Sequence, residues 1–350
     1  MRRARAKSDG EGYYHIINRM AGRRMLLTDV WKARLLDHIR RAADFSGVEV
    51  LTYAIMDNHF HLLVKVQKPH DVPDAELEVR MSSLYTPKQK DRILADWDRW
   101  ENDGRSAWKA EDARNRLRKR MFDLSQFVKT FSERFTVEYN RTTGFTASPW
   151  GQRFKSVLVE ENSRALLPMA AYIDLNPVRA GVKREPGGSA WTGFGAAILG
   201  DSRARDGITS LLSYAHGDKS LDWKVSRDLY RSVLDGRLAQ DGDRLQIPNA
   251  ENGDRPRFDA VEVERKIAAG KKLSLFELLR CKVRYFCAGL AFGRETFIRG
   301  IGRDDLVFHH APYAIPCETL SGIGTAGRVR RLDAIMLPGK CRRDAVKEIR

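Results

Sequence analysis

The chain has 350 residues, 31% of them charged, and its 62 Lys+Arg against 46 Asp+Glu give a formal net charge of +16. That excess favours a polyanionic partner, nucleic acid first and an anionic membrane surface second, through phosphate neutralisation and counterion release. No apolar run approaches the roughly 20 residues of a spanning helix, and the basic start Met1-Arg2-Arg3-Ala4-Arg5 runs into polar residues rather than a signal-peptide core, which argues against a membrane partner and for the cytoplasm.

The length predicts a core of roughly 150 to 200 residues plus an extra region. Tyr13-Tyr14-His15-Ile16-Ile17-Asn18-Arg19 has the aromatic and β-branched content of a first strand, with His15 as a lone histidine, structural or a groove contact with DNA. Thr28-Asp29 can cap a helix in which Trp31, Leu35, Leu36, Ile39 and Ala43 follow the period of 3.6, and Gly47 suits its end. Val48 to Ile55 reads as a second strand. It turns at Asp57-Asn58 into a third, His59-Phe60-His61-Leu62-Leu63-Val64-Lys65-Val66. Alternation puts His59 and His61 on one face and Phe60 on the other. Two neighbouring imidazoles can share a divalent cation, although a bare His-X-His is equally compatible with a solvated polar face.

From Gln67 to about Phe122 the chain is dense in charge and carries Pro69, Pro73, Pro87, Trp97, Trp100 and Trp108, which reads as a helical insertion. Its basic run Arg114, Arg116, Arg118, Lys119 and Arg120 suits either a phosphate backbone or a solvated helix face. Leu124, Phe127, Val128, Phe131 and Phe135 mark an amphipathic helix. The second half of Trp150 to Glu160 looks like another strand, with Arg153 and Lys155 on a shared face. A helix is predicted from an N-cap at Ser163 to about Leu175, ended by Pro177, with Pro168 forcing either a late start or a bend. Tyr172 and Asn176, four apart, share one face of it.

Asp57-Asn58-His59-Phe60-His61-Leu62-Leu63-Val64, then Trp150-Gly151-Gln152-Arg153-Phe154-Lys155-Ser156, then Tyr172-Ile173-Asp174-Leu175-Asn176-Pro177-Val178-Arg179-Ala180-Gly181, together and in this order resemble the single-tyrosine HUH transposases, and especially the REP-associated tyrosine transposases. The resemblance spans about residues 10–200. It implies an α+β fold, a ferredoxin-like (RRM-like) antiparallel sheet with packed helices, and metal-dependent nicking and joining of single-stranded DNA near hairpins. It implies His59, His61 and Asn176 as ligands of a divalent metal, Mg or Mn, and Tyr172 as the nucleophile that keeps the 5′ phosphate. Arg19, Arg153, Lys155 and Arg179, with Arg118 and Lys119, are the candidate contacts to DNA. Asp57 departs from the family pattern, which commonly has proline in this turn, as do Pro168 and the long insertion. The oligomeric state, monomer or homodimer, stays open.

Trp191-Thr192-Gly193-Phe194-Gly195 looks like the end of this core, and the Gly/Asp/Arg-rich stretch from about Gly200 to Gly207 like a boundary to a mainly helical region, 201–350. In that region Leu273, Phe276, Leu279, Val283 and Phe286 suggest a helix, with a break at Gly289 and a second segment from Gly293 to Ile301. This suits either a basic helix-turn-helix, using Lys271, Lys272, Arg280, Lys282 and Arg284, or a small packing bundle. His309-His310 is a weak signal. Cys281, Cys287, Cys317 and Cys341 lie apart with no Cys-X-X-Cys pair and read as reduced, mostly structural thiols. Two other functions compete with the strand transferase: a catalytically silent DNA-binding protein of the same fold, and a metal-dependent hydrolase that activates water at His59 and His61.

Overall fold

Local preference and pairing agree over residues 12–66. A computed structural model describes residues 5–301 apart from 9, 237–238, 242–243, 247–258, 270, 272 and 282–284, and also 314–316. In it β1 (Gly12–Arg19), α1 (Asp29–Ser46), β2 (Val48–Met56) and β3 (His59–Val66) lie close to their predicted bounds. Gly47 ends α1 at φ 65°, a left-handed conformation that costs glycine little. The insertion is helical: α2 (Asp74–Leu84), α3 (Pro87–Asn102) and α4 (Ala107–Arg118). It packs its own small core of Val72, Leu77, Met81, Leu84, Trp97 and Met121 around Phe45 of α1. Then come α5 (Leu124–Thr143), β4 (Lys155–Val159) and α6 (Ser163–Asp174).

Strands β2-β3-β1-β4 pair antiparallel in that order, with α1 and α5 on one face, which is the ferredoxin-like βαββαβ arrangement. The apolar side chains of Tyr14, Ile16, Phe60, Leu62, Val64 and Leu158 meet Leu35, Ile39, Phe127 and Phe131 there. The sheet is larger and less regular than the antiparallel one expected. β7 (Ala291–Gly293) pairs parallel to β4, and β8 (Ala314–Pro316) parallel to β7, so the six-stranded sheet is mixed.

The opposite face carries Tyr13, Leu63, Val157 and Val159 and is covered by α6, α9 (Ser202–His216) and α10 (Trp223–Leu234). Between them lie α7 (Asn176–Arg179) and α8 (Gly193–Ile198). All twelve residues of α6 are buried, and the helix continues through Pro168; its packing offsets the hydrogen bond that proline removes. Its cap is Asn162 rather than Ser163: Asn162 Oδ1 accepts from Ala165 N at 2.8 Å.

The boundary expected near residue 200 falls inside this core. Ala204, Ile208, Leu211, Leu212, Tyr230, Val233 and Phe292 are buried in the same two clusters as residues 13–175. Gly207, read as part of a linker, sits mid-helix because α9 crosses β2 closely there: a Cβ would stand 2.5 Å from Val50 O and 2.8 Å from Leu51 O. A β-bulge between Val50 and Thr52 lies under that crossing.

The remaining described elements are β5 (Ala239–Asp241), β6 (Arg244–Gln246), α11 (Ala260–Ala268), α12 (Leu275–Arg280), α13 (Tyr285–Ala288) and α14 (Glu295–Ile301). α13 and α14 are separated by the core strand β7, so the glycine at 289 does not join a helix-turn-helix. Lys272, Lys282, Arg284, His309-His310, Cys317 and Cys341 lie outside the described residues.

Candidate active site

The β1–β3 register sets Arg19 opposite His59 and Ile17 opposite His61, while β4 sets Lys155 opposite Ile17. Directly opposed residues share a face, so Arg19, His59, His61 and Lys155 project together toward α6. Phe60 points the other way, edge-on to Phe131 and Trp150. The ring centroids of His59 and His61 are 5.2 Å apart. His59 is partly exposed, and its Nδ1 lies 2.6 Å from Asn58 Oδ1, which leaves Nε2 to face a ligand. His61 is buried.

His15, a lone structural or DNA-contacting histidine by its sequence, joins this group. Its Nε2 lies 2.8 Å from His61 Nδ1, and its Nδ1 lies 3.0 Å from Phe286 O. A carbonyl only accepts, so His15 Nδ1 carries the proton and His15 Nε2 accepts from His61 Nδ1. Burial first, then nearby positive charge including Arg179, holds the His15 imidazole down at about 4 and, with Arg19 as well, His59 at about 3. Burial, then the other two imidazoles, holds His61 well below the usual value. All three rings are therefore neutral at pH 7, the form that binds metal.

Tyr172 reaches this group from α6. Its ring centroid is 6.1 Å from those of both His15 and His61. Phe286 stacks on it at 4.6 Å, the Arg179 guanidinium sits 3.9 Å from its centroid, and its hydroxyl is 2.9 Å from Cys287 Sγ. Tyr172 is 6% exposed. Burial, then Cys287, pushes its phenol above the usual value; Arg179 opposes this without overcoming it. The hydroxyl is protonated and covered by residues of the C-terminal region.

The other candidates fall into two groups. Arg19, Arg153, Lys155 and Lys119 are exposed, the first three near the histidine edge of the sheet and Lys119 at the end of α4. Arg179 is not at the surface: it is 3% exposed and donates to Tyr172 O and, at 3.0 Å, to Leu279 O. Its place is under the tyrosine rather than against DNA. Arg118 is likewise committed, to Asp74, to Glu111 at 3.2 Å and to Val72 O at 2.9 Å, because the insertion folds back on itself. Asn176 starts α7 and donates to Ile173 O at 3.3 Å rather than to an imidazole.

Asp174, present in the tyrosine motif but given no role from sequence, fixes the helix that carries Tyr172. Its carboxylate accepts from Thr52 Oγ1 and Tyr230 Oη, both at 2.6 Å, and from Phe194 N at 2.8 Å, tying α6 to β2, α10 and α8. Burial nevertheless raises its acid to about 6, above the unfolded value near 4. A raised folded pKa favours the neutral acid, so this stability is complete below about pH 4 and lost as pH rises through about 6. Asp174→Asn, which cannot ionise, should gain on the wild type by about 3 kcal/mol between pH 4 and 7. Urea unfolding of both proteins at the two pH values measures this; an unchanged difference would remove the assignment.

The fold and site together define a ferredoxin-like α+β protein with an imidazole cluster on its sheet beside a helix-borne tyrosine. Residues 10–97 match the family model of the IS200-like transposases. The match covers both His59 and His61 and supports the resemblance read from the motifs; it ends in α3, before Tyr172. A solved structure of a REP-associated tyrosine transposase bound to a REP hairpin covers 57% of this chain and 85% of its own, at 14% identity and a TM-score of 0.35. No curated protein shows significant similarity to the chain.

Proposed function

We propose that the protein is a metal-dependent endonuclease and strand transferase that cleaves single-stranded DNA near hairpins through a covalent 5′-phosphotyrosine on Tyr172. The observation that carries this reading is the meeting of Tyr172 with the His59–His61 face, three elements brought to one place by the β1–β3 pairing and the packing of α6. The donor set suits a divalent ion: two neutral imidazoles, each with Nδ1 already engaged, and the Asn176 amide on the adjoining helix turn. When bound by His59, His61 and Asn176, the ion, Mg or Mn, supplies Lewis acidity to the scissile phosphate. Arg19, Arg153 and Lys155 hold the flanking phosphates, while Arg179 lies close enough to favour charge on the Tyr172 oxygen as its proton leaves. DNA must reach that oxygen, so Phe286 and Cys287 have to move aside. The product is a phosphotyrosine ester and a free 3′ hydroxyl, which later attacks the ester to rejoin strands.

His59→Ala should abolish nicking and reduce DNA affinity little, because the ion is held by few ligands whereas DNA binding is spread over many phosphates. His59 is the cleaner test than His61, whose loss also removes the partner of buried His15. Labelled hairpin strands incubated with manganese and either protein give the readout; full activity in the variant would end the metal assignment.

One observation favours a second reading, a catalytically silent DNA-binding protein: Tyr172 is covered by Phe286 and bonded to Cys287. Hairpin binding without any adduct in the wild type would establish it.

A further inference from the structure

We infer that His15, His61 and Cys287 form a second cation site, selective for a soft divalent ion of the zinc class, which shares only His61 with the His59–His61–Asn176 set and uses its other ring nitrogen. Three observations support it. One ligand atom from each of the three side chains lies within 4.8 Å of the others. Two imidazoles and a thiol are the donors that zinc prefers, whereas magnesium and manganese prefer oxygen. Finally, the Phe286 carbonyl accepts from His15 Nδ1, which is the outer-shell contact that fixes a ligating histidine with Nε2 available. The segment that brings the thiol therefore also orients one of the imidazoles.

The adjustment needed is small. Tetrahedral zinc ligands stand roughly 3.5 Å apart, between the 2.8 Å of the His15–His61 contact and the 4.8 Å limit of the group. On binding, the ion takes the place of the proton shared by the two rings, which passes to His61 Nε2, so this ion and one held by His59, His61 and Asn176 exclude each other at His61. Cys287 gives up its thiol proton to solvent and its contact with the Tyr172 hydroxyl. No oxidation is involved. Bound there, the ion ties β1 and β3 to the 286–287 segment and keeps Phe286 over Tyr172. The ligand assignment does not depend on the nicking reading; only this consequence for Tyr172 does.

Cobalt(II), which substitutes for zinc and reports thiolate coordination by a near-ultraviolet charge-transfer band, provides the test on the full chain. One equivalent should produce the band in the wild type and zinc should displace it. Cys287→Ser should lack it and bind zinc at least 10-fold more weakly. Cys287→Ala, which adds no hydroxyl to the buried site, serves as a second variant, and metal-free melting of both shows whether they fold. His59→Ala should keep the band while losing nicking, so the failure of one reading is seen apart from the failure of the other. A wild type with no band, a band that survives both Cys287 substitutions, or one that His59→Ala removes would overturn the proposal.

Discussion

Tyr172→Phe should bind hairpin DNA as the wild type does and form no covalent adduct with it. The phenylalanine ring keeps the stacking on Phe286 and the contact with Arg179, while the bond between the hydroxyl and Cys287 is lost, at about 1 kcal/mol of stability. Tyr172→Ala would confuse that question by leaving a cavity in a core where Ala171 and Ile173 are fully buried. The chemical loss is complete because no ester forms without the phenolic oxygen. Denaturing gel electrophoresis of labelled hairpin strands reads the adduct. If one persists, mass spectrometry of the linked peptide would have to place it on another tyrosine; Tyr13 and Tyr14 are buried in β1, and Tyr139 is buried in α5. Nicked strands with ordinary ends and no adduct, from the wild type itself, would point to an activated water and the hydrolase reading.

The second large effect is on folding. A chain ending after residue 200 should lose its cooperative unfolding transition and aggregate. Such a chain lacks α9, α10 and β7, and with them Ile208, Leu211, Leu212, Tyr230, Val233 and Phe292, which cover Leu51, Leu63, Val157 and Val159 on one face of the sheet. It also removes Tyr230, a partner of the buried Asp174 carboxylate. Burying a large side chain contributes about 1.5–3 kcal/mol, so loss of six exceeds the 5–15 kcal/mol of a typical domain or comes close to it. A soluble fragment with a sharp urea transition would show that residues 1–200 fold alone.

Locally determined features were legible in the sequence. Strand alternation placed His59 and His61 on one side and Phe60 on the other, and the period of 3.6 placed α1 and α5, because these patterns follow from backbone geometry within one element. The turn at Asp57-Asn58 and the stop at Gly47 follow from the conformations those residues tolerate. The motif order carried the family resemblance, which the match over residues 10–97 supports. What only the tertiary structure decided was which separate segments meet. His15 looked solitary because its partner lies 46 residues away, across a β1–β3 register that no local pattern encodes. Arg179, a candidate DNA contact within the tyrosine motif, and Arg118, in a basic run that suits either phosphates or a solvated helix face, are both committed inside the protein: burial gives the first to the carbonyls of Tyr172 and Leu279, and the folded-back insertion gives the second to Asp74 and Glu111. The glycine-rich stretch before residue 207 resembled a linker, yet Gly207 is needed where a helix crosses a strand too closely for a Cβ. Phe286 reads as one position of a helical apolar pattern and Cys287 as a structural thiol, and neither reading points to Tyr172, since closeness to a residue 115 positions earlier is a property of the packed sheet and its parallel β4–β7 pairing rather than of the residues around it.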